Sequence, residues 1–109
     1  MVVVLFGTEL RSDLDRAEYA ARNERLEELV RQSPGFISVK SYTGADGDRV
    51  VIARFESAEA LAAWRSHPEH VAAQRAGRVS YYDSYWVQVC ETVREYAFRR
   101  THEESRLEE

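Results

Sequence analysis

The residues of this chain that are best suited to chemistry lie in one short stretch, WRSHPEHVAAQRAGR, at positions 64–78. His67 and His70 carry imidazole, a side chain that titrates near neutral pH and can serve as a general acid or base. Arg78 carries a guanidinium of fixed charge, which can stabilise a phenolate or a peroxide-level anion. These three residues are the candidate catalytic groups, and a structural salt bridge is the alternative role for Arg78.

A metal site is the second chemistry to consider for this stretch. His67, His70 and Gln74 are spaced by three and four residues, so they would share one face of a continuous helix. Two histidines at this spacing can bind a metal ion, but a site also needs a third ligand and supporting hydrogen bonds. No carboxylate is suitably spaced, and we therefore predict no metal site. The alternative is that His67 caps a helix and that His70 packs at a subunit contact.

Aromatic and amide side chains are the candidates for binding a substrate. Trp64 offers a large flat apolar surface, which suits either the wall of a cavity or an anchor of the core. Tyr19 and Asn23 are four residues apart near the apolar stripe of a predicted helix, where Asn23 either orients a ligand or contacts water at the edge of the stripe. Tyr82 and Tyr85 begin the last predicted strand on opposite faces, so we expect only one of them in a given cavity.

Composition limits the classes of function that remain. The formal net charge of −4 argues against nucleic-acid binding, which needs clustered positive charge. No apolar run approaches the roughly 20 residues that cross a bilayer, so no membrane association is expected. Cys90 is the only cysteine, which is typical of a protein of the reducing cytoplasm. We predict that Cys90 is a small buried apolar residue and not a nucleophile.

Hydrophobic periodicity and turn residues predict the elements that position these side chains. Residues 2–6 form a β-branched and aromatic run typical of a strand. Ser12 or Asp13 is the predicted N-cap of a helix that ends near Gln32. Two further strands, FISVKSY and RVVIARF, are predicted to form a hairpin around Asp46-Gly47, because glycine tolerates a positive φ.

Two short helices are predicted after this hairpin. Ser57 is the N-cap of the first, which reaches Trp64, while Pro68 suits the first turn of the second and Gly77 ends it. One more strand follows, so the order of elements is β-α-β-β-α-β. This order predicts a ferredoxin-like α+β fold.

The last predicted strand, residues 81–98, is too long for a chain of this size. As one strand it would extend about 60 Å, against roughly 17–20 Å for an ordinary strand. Either it bends sharply or its distal half pairs with a second subunit, and we favour the second because dimerisation would cover an apolar edge. Residues 1–98 are the predicted domain, and residues 99–109 are a charged tail that we expect to be disordered.

Three segments of the chain together resemble the antibiotic biosynthesis monooxygenase (ABM) domain family over about residues 2–98. They are PGFISVKSYTGADGDRVVIARFES, AWRSHPEHVAAQRAGR and YYDSYWVQVCETVREYAF. The pattern WRxHPEHxxAQxxGR is similar to that of a small bacterial subgroup often placed beside the haem-degrading monooxygenases. The resemblance implies a dimeric α/β barrel with a cavity in each protomer between helices and sheet. It also places Trp64 where relatives have a tryptophan that lines this cavity.

The resemblance implies a small monooxygenase that oxidises an electron-rich aromatic or polyphenolic substrate with O2, without metal or flavin. One alternative is a haem-degrading monooxygenase, and another is a non-catalytic dimer that binds a hydrophobic ligand. The haem-degrading relatives have an iron-binding histidine where this chain has Gln74, and an asparagine on the first strand where it reads LFGTE. These two departures weigh against haem as a cofactor.

Overall fold

Residues 1–100, the part of the chain that the computed structural model describes, form one antiparallel sheet with helices on one of its faces. Its strands are β1 (Val2–Leu10), β2 (Phe36–Thr43), β3 (Arg49–Phe55) and β4 (Tyr82–Glu91), and its α-helices are α1 (Arg16–Arg31), α2 (Ala58–Arg65) and α3 (Pro68–Ala76). The strand order across the sheet is β2-β3-β1-β4. The predicted ferredoxin-like α+β fold is thus confirmed, with its second helical segment divided into α2 and α3.

The start of α1 differs from the prediction. The N-cap is Asp15, whose carboxylate accepts a hydrogen bond from the backbone N–H of Glu18 at 3.0 Å. Asp13, a predicted N-cap, instead accepts two hydrogen bonds from Arg11, at 2.9 and 2.8 Å, and lies two residues before the observed cap. The predicted cap of α2 is confirmed, since Oγ of Ser57 accepts from the N–H of Ala60 at 3.1 Å.

The β2–β3 hairpin forms at the predicted turn. Gly47 has φ of 90°, a left-handed conformation that glycine adopts without steric cost. Oδ1 of Asp46 accepts from the N–H of Asp48 at 2.9 Å and tightens the turn. This short connection fixes the register of β3, which begins at Arg49 as predicted.

α3 ends at Ala76 with Gly77 as its C-cap, as predicted, but Gly77 does not turn the chain out of a helical path. Its φ of −59° is right-handed, and the chain continues through a π-helical turn, Gly77–Tyr81, before β4 begins. Glycine is needed here because the ring of Tyr82 packs against it. A Cβ at position 77 would lie 2.5 Å from Cε2 of Tyr82.

The last strand is also shorter than predicted and spans Tyr82–Glu91. Its partner β1 ends where Val2 pairs with Glu91, and the N–H of Thr92 makes a final bond to the carbonyl of Met1 at 3.0 Å. Residues 92–100 pair with no strand among residues 1–100 and form neither helix nor strand. Their pairing with a second subunit and the domain boundary at residue 98 stay predictions, and residues 101–109 of the predicted tail lie outside the described residues.

The core lies between the helices and one face of the sheet, and consists of Val2, Val30, Phe55, Leu61 and Trp64. Within residues 1–100 the opposite face has no helix over it. Cys90, predicted to be buried, is exposed on this outer face for that reason. None of the helices of residues 1–100 is both long enough and apolar enough to span a membrane.

Candidate active site

A cavity of about 790 Å³ lies between the sheet and the helices. Because side chains alternate along a strand, every second residue of β1 and of β3 faces it. These floor residues are Val4, Phe6, Thr8, Arg49, Val51, Ala53 and Phe55. The cavity is therefore mostly apolar, with polar groups where β1 ends and β3 begins.

Trp64 forms part of the helical wall of the cavity and is 8 % exposed. Its indole contacts two imidazoles, with ring centroids 5.5 Å from His67 and 5.3 Å from His70. The same side chain belongs to the core cluster. The two roles considered for Trp64, cavity wall and core anchor, thus coincide in one position.

His70 lines the cavity, and its Nδ1 is buried without a hydrogen-bond partner among residues 1–100. Burial lowers the pKa of this imidazole below its ordinary value of 6.5, and positive charge on Arg65 and His67 adds to the effect. An interaction with the backbone of Arg65 opposes this shift, but burial outweighs it. The neutral form of His70, the form that accepts a proton, is therefore favoured at pH 7.

His67 lies outside the cavity lining. It is the N-cap of α3, and its Nδ1 accepts a hydrogen bond from the N–H of Glu69 at 3.1 Å. Since α3 begins only at Pro68, His67 does not lie on a continuous helix with His70 and Gln74. In the described part of the chain, no three His, Cys, Asp or Glu side chains are grouped so that they could hold a metal ion.

The prediction that Tyr82 and Tyr85 face opposite sides of the sheet is wrong, and both line the cavity. A bulge in β4 causes this: Leu10 pairs with Tyr82 but Glu9 pairs with Ser84, so one residue is skipped. A one-residue insertion reverses the alternation of side chains beyond it. The rings of Tyr82 and Tyr85 pack around Phe6, each with its centroid 5.7 Å from that ring.

Arg78 also reaches the cavity, from the π-helical turn. Its Nε donates a hydrogen bond to the phenol oxygen of Tyr85 at 2.8 Å. Among residues 1–100 no carboxylate lies within ion-pair distance of Arg78, so the alternative of a structural salt bridge finds no partner there.

The π-helical turn that carries Arg78 is held against α1 by Tyr81, which is buried. The Tyr81 phenol donates to Glu18 at 2.8 Å and accepts from Nε of Arg22 at 3.1 Å. Burial, and the bond to Glu18, raise the pKa of this phenol. Arg11 adds a bond from its guanidinium to the carbonyl of Val79 at 2.8 Å.

Sequence reasoning identified Tyr19 but missed Arg49, which binds it. The guanidinium of Arg49 donates to the phenol oxygen of Tyr19 and, at 2.8 Å, to Oγ of Ser41. Burial is the main cause that raises the pKa of the neighbouring Tyr82 phenol, and Tyr19 adds to it. Alternation along β3 is the signal that would have found Arg49, because it shares a face with Val51.

Asn23 and Gln74 both line the cavity. Neither amide makes a side-chain hydrogen bond to another of residues 1–100. Each is therefore available to bind a ligand. Of the nine predicted site residues, the structure brings eight together around one cavity and leaves out His67.

The sequence model of a family described as antibiotic biosynthesis monooxygenase matches residues 1–76. The chain belongs to this family. It is 37 % identical over 96 residues to the uncharacterised protein YqjZ of Bacillus subtilis, an alignment that covers 88 % of this chain and 82 % of that protein.

The solved structures that this ABM protein resembles support the same fold. Rv0793 of Mycobacterium tuberculosis superimposes with a TM-score of 0.77 at 24 % identity, over 88 % of this chain and 98 % of that one. A mutant of SnoaB, a cofactor-independent oxygenase of Streptomyces nogalater, gives a TM-score of 0.72 at 16 % identity, over 86 % and 94 % of the chains.

The cavity of this ABM protein does not fit haem in the way that haem-degrading relatives imply. Gln74 lines the cavity at the position expected for the iron ligand, and haem iron is held by histidine, cysteine, methionine or tyrosine. The β1 side chains that face the cavity are Val4, Phe6 and Thr8, so this strand supplies no amide either. The two residues that the resemblance implies for a haem site are therefore absent, although His70 supplies an imidazole to the lining one turn before Gln74.

Proposed function

We propose that this ABM protein is a monooxygenase that oxidises an electron-rich hydroxylated aromatic compound with O2, without metal or flavin. The observation that carries the proposal is the cavity itself, where Trp64 forms a flat wall and His70 and Arg78 supply a base and a cation. A cavity of this volume suits a polycyclic aromatic molecule. The fold likeness to a relative described as a cofactor-independent oxygenase gives further support.

The first step of the proposed reaction is removal of a proton from the substrate. His70 is the base, because it lines the cavity and its lowered pKa keeps the imidazole neutral at pH 7. His67 is unsuitable because its Nδ1 is occupied in capping α3. For an anthrone, the proton leaves the ring CH2 group and the negative charge spreads onto the oxygens of the rings.

The substrate carbanion itself then supplies the electrons. One electron passes to O2, and the resulting radical and superoxide join to form a C–O bond and a peroxide anion. This anion takes the proton held by His70 to give a hydroperoxide. The neutral His70 then removes the second ring C–H proton as the C=O bond forms and the O–O bond breaks, and the hydroxide that is expelled takes this proton and leaves as water. The balance is CH2 + O2 → C=O + H2O. Arg78 stabilises the anionic species, which lies against the apolar floor.

We also propose that the protein is a homodimer. The outer sheet face exposes large apolar side chains, among them Tyr42 and Trp86, and Val93 beyond β4 is 98 % exposed. An exposed apolar surface of this extent is typical of a protein–protein interface. A second copy of the chain has the same apolar surface and can bind to it. A cytoplasmic location is part of the proposal, in keeping with the single cysteine.

Oxygen uptake with 1,8-dihydroxyanthrone tests the proposed reaction. We expect consumption of one O2 per anthrone and formation of the anthraquinone, above the rate of spontaneous oxidation. His70→Gln should lower the enzymatic rate, whereas the matched control His67→Asn, which keeps a capping acceptor, should not. Uptake at the spontaneous rate only, with the anthrone bound, would contradict catalysis and favour the non-catalytic binder.

A further inference from the structure

The cavity has two chemically different ends. At one end Val30, Phe55, Leu61 and Trp64 form an apolar surface. At the other, Thr8 of β1 pairs with Arg49 on one side and with Tyr85 on the other, so these three residues form one row across the sheet. All three face the cavity. A ligand that fills the cavity therefore meets a mainly apolar end, with His70 beside Trp64, and a polar end.

Arg49 is the central cation of the polar end. It is half-buried, and its guanidinium is oriented by two neutral acceptors, the hydroxyls of Tyr19 and Ser41. Its charged group also lies over the ring of Tyr19, 5.8 Å from the centroid. These contacts fix the direction of the side chain but contribute no negative charge.

Within residues 1–100, Arg49 has no carboxylate at ion-pair distance. Glu27 is a carboxylate of the cavity lining, and it is bound to Arg31 at 2.7 Å. A partly buried cation without a counter-ion is costly, and an anion that enters the cavity relieves that cost. The planar fork of a guanidinium matches a carboxylate in geometry.

We propose that Arg49, with Tyr19 and Ser41 as its supports, is a carboxylate-binding subsite, and that the substrate is an aromatic compound with a carboxylate at one end. The rings lie along the apolar floor towards Trp64, and the carboxylate contacts Arg49 beside Thr8. This inference depends on the proposed function only because both use the same cavity. It gives Arg49 a role in substrate selection, separate from the action of Arg78 on charge formed during the reaction.

Two probes of the same shape test this subsite directly by calorimetric titration at neutral pH and low salt. 9-Anthracenecarboxylate carries the anion, and 9-anthracenecarboxamide is its neutral counterpart. We expect the wild-type protein to bind the carboxylate about tenfold more tightly, the scale of a charge-assisted hydrogen bond. High salt should reduce this preference, since it screens the attraction.

Two arginine variants then assign the preference to a residue. Arg49→Gln should bind both probes equally. Arg54→Gln is the matched control, because Arg54 lies on the same strand but on the alternate, outward-facing position, and this variant should keep the preference. Arg49→Lys keeps the charge without the planar guanidinium and should show an intermediate preference for the carboxylate. This variant replaces Arg49→Gln in the test if Arg49→Gln fails to fold.

The outcomes separate the subsite from the proposed function. Equal binding of both probes by the wild-type protein, or a preference that survives in Arg49→Gln, would overturn the subsite and leave an aromatic-binding cavity intact. Failure of both probes to bind would overturn both ideas, since the cavity would not accept a flat aromatic molecule. Carboxylate preference without O2 uptake would support the subsite and contradict catalysis.

Discussion

Nε of Arg78 donates a hydrogen bond to the phenol oxygen of Tyr85 at 2.8 Å, so an exposed cation of the π-helical turn is tied to a residue of the sheet. An unattached arginine samples many rotamers, and the bond reduces the entropy lost when the charge must hold one position. Tyr85 is therefore a positioning residue for Arg78. Its own place in the cavity depends on the bulge in β4.

This contact predicts unequal effects of two substitutions on anthrone oxidation. Arg78→Ala removes the cation that stabilises the anion and should lower kcat roughly 10- to 100-fold, the lower part of the range for loss of one such donor. Tyr85→Phe removes only the acceptor and should lower kcat about threefold to tenfold, with KM little changed. Arg75→Ala, one turn earlier and outside the cavity lining, should leave both constants as they are. Equal rates for Arg78→Ala and wild type would contradict the role.

The burial of His70 predicts a pH dependence of stability. Its pKa is lowered in the folded state, so the unfolded chain binds more protons between that pKa and the ordinary value of 6.5. The free energy of unfolding should therefore rise with pH in this interval, and stability should be lost as pH falls through the folded-state pKa. Urea unfolding of His70→Gln between pH 5 and 8 should show a flatter profile than the wild type, while His67→Asn should retain the slope. A wild-type slope in both variants would exclude His70 as its source.

Gly77 offers a test of the π-helical turn. A methyl group at this position would overlap the ring of Tyr82, so Gly77→Ala should cost about 1–3 kcal/mol in the free energy of unfolding, as overpacking does. The backbone at Gly77 is right-handed, so the cost would come from the contact and not from strain. Tyr82→Ala in the same chain should remove most of the penalty. A double variant as unstable as the sum of its parts would contradict this explanation.

The elements of the fold were largely predictable because they depend on local signals. The positive φ of Gly47 and the cap at Ser57 follow from residue type and position, and both are observed. The N-cap of α1 was not singled out, because Ser12, Asp13 and Asp15 are all residue types that cap helices and the pattern does not choose among them. Residue type and position thus predict the helices and strands, but not always the residue at which each one begins.

The residues that line the candidate site were largely predictable, but the sheet faces on which their side chains lie were not. Alternation alone placed Tyr82 and Tyr85 on opposite faces, and the bulge that reverses them depends on how β4 pairs with β1. Cys90 was expected to be buried because alternation puts it on one face with Trp86, yet burial depends on whether anything covers that face. Arg49 was missed, although alternation along β3 puts it on the same face as Val51.

The double role of Trp64 predicts that two substitutions will have different effects. Trp64→Phe keeps a flat ring and most of the apolar volume, so it should cost about 1–2 kcal/mol in unfolding free energy. Trp64→Leu loses the flat surface and should cost about 2–4 kcal/mol. If Trp64 also contacts the substrate, Trp64→Leu should weaken the binding of 9-anthracenecarboxamide about tenfold, whereas Trp64→Phe should weaken it less than threefold. Equal affinities in all three proteins would limit Trp64 to the core.

The amide at position 74 predicts the outcome of a haem titration. Because the carboxamide of Gln74 is a poor ligand for iron, the wild-type protein should give no stoichiometric Soret band with haem. Gln74 lines the cavity, so Gln74→His would place an imidazole there and should bind haem with a shifted Soret band. Gln32→His, at the C-cap of α1 and outside the cavity lining, is the control for surface histidine. A tight band with the wild-type protein that bleaches under air with ascorbate would instead establish haem degradation, with another residue as ligand.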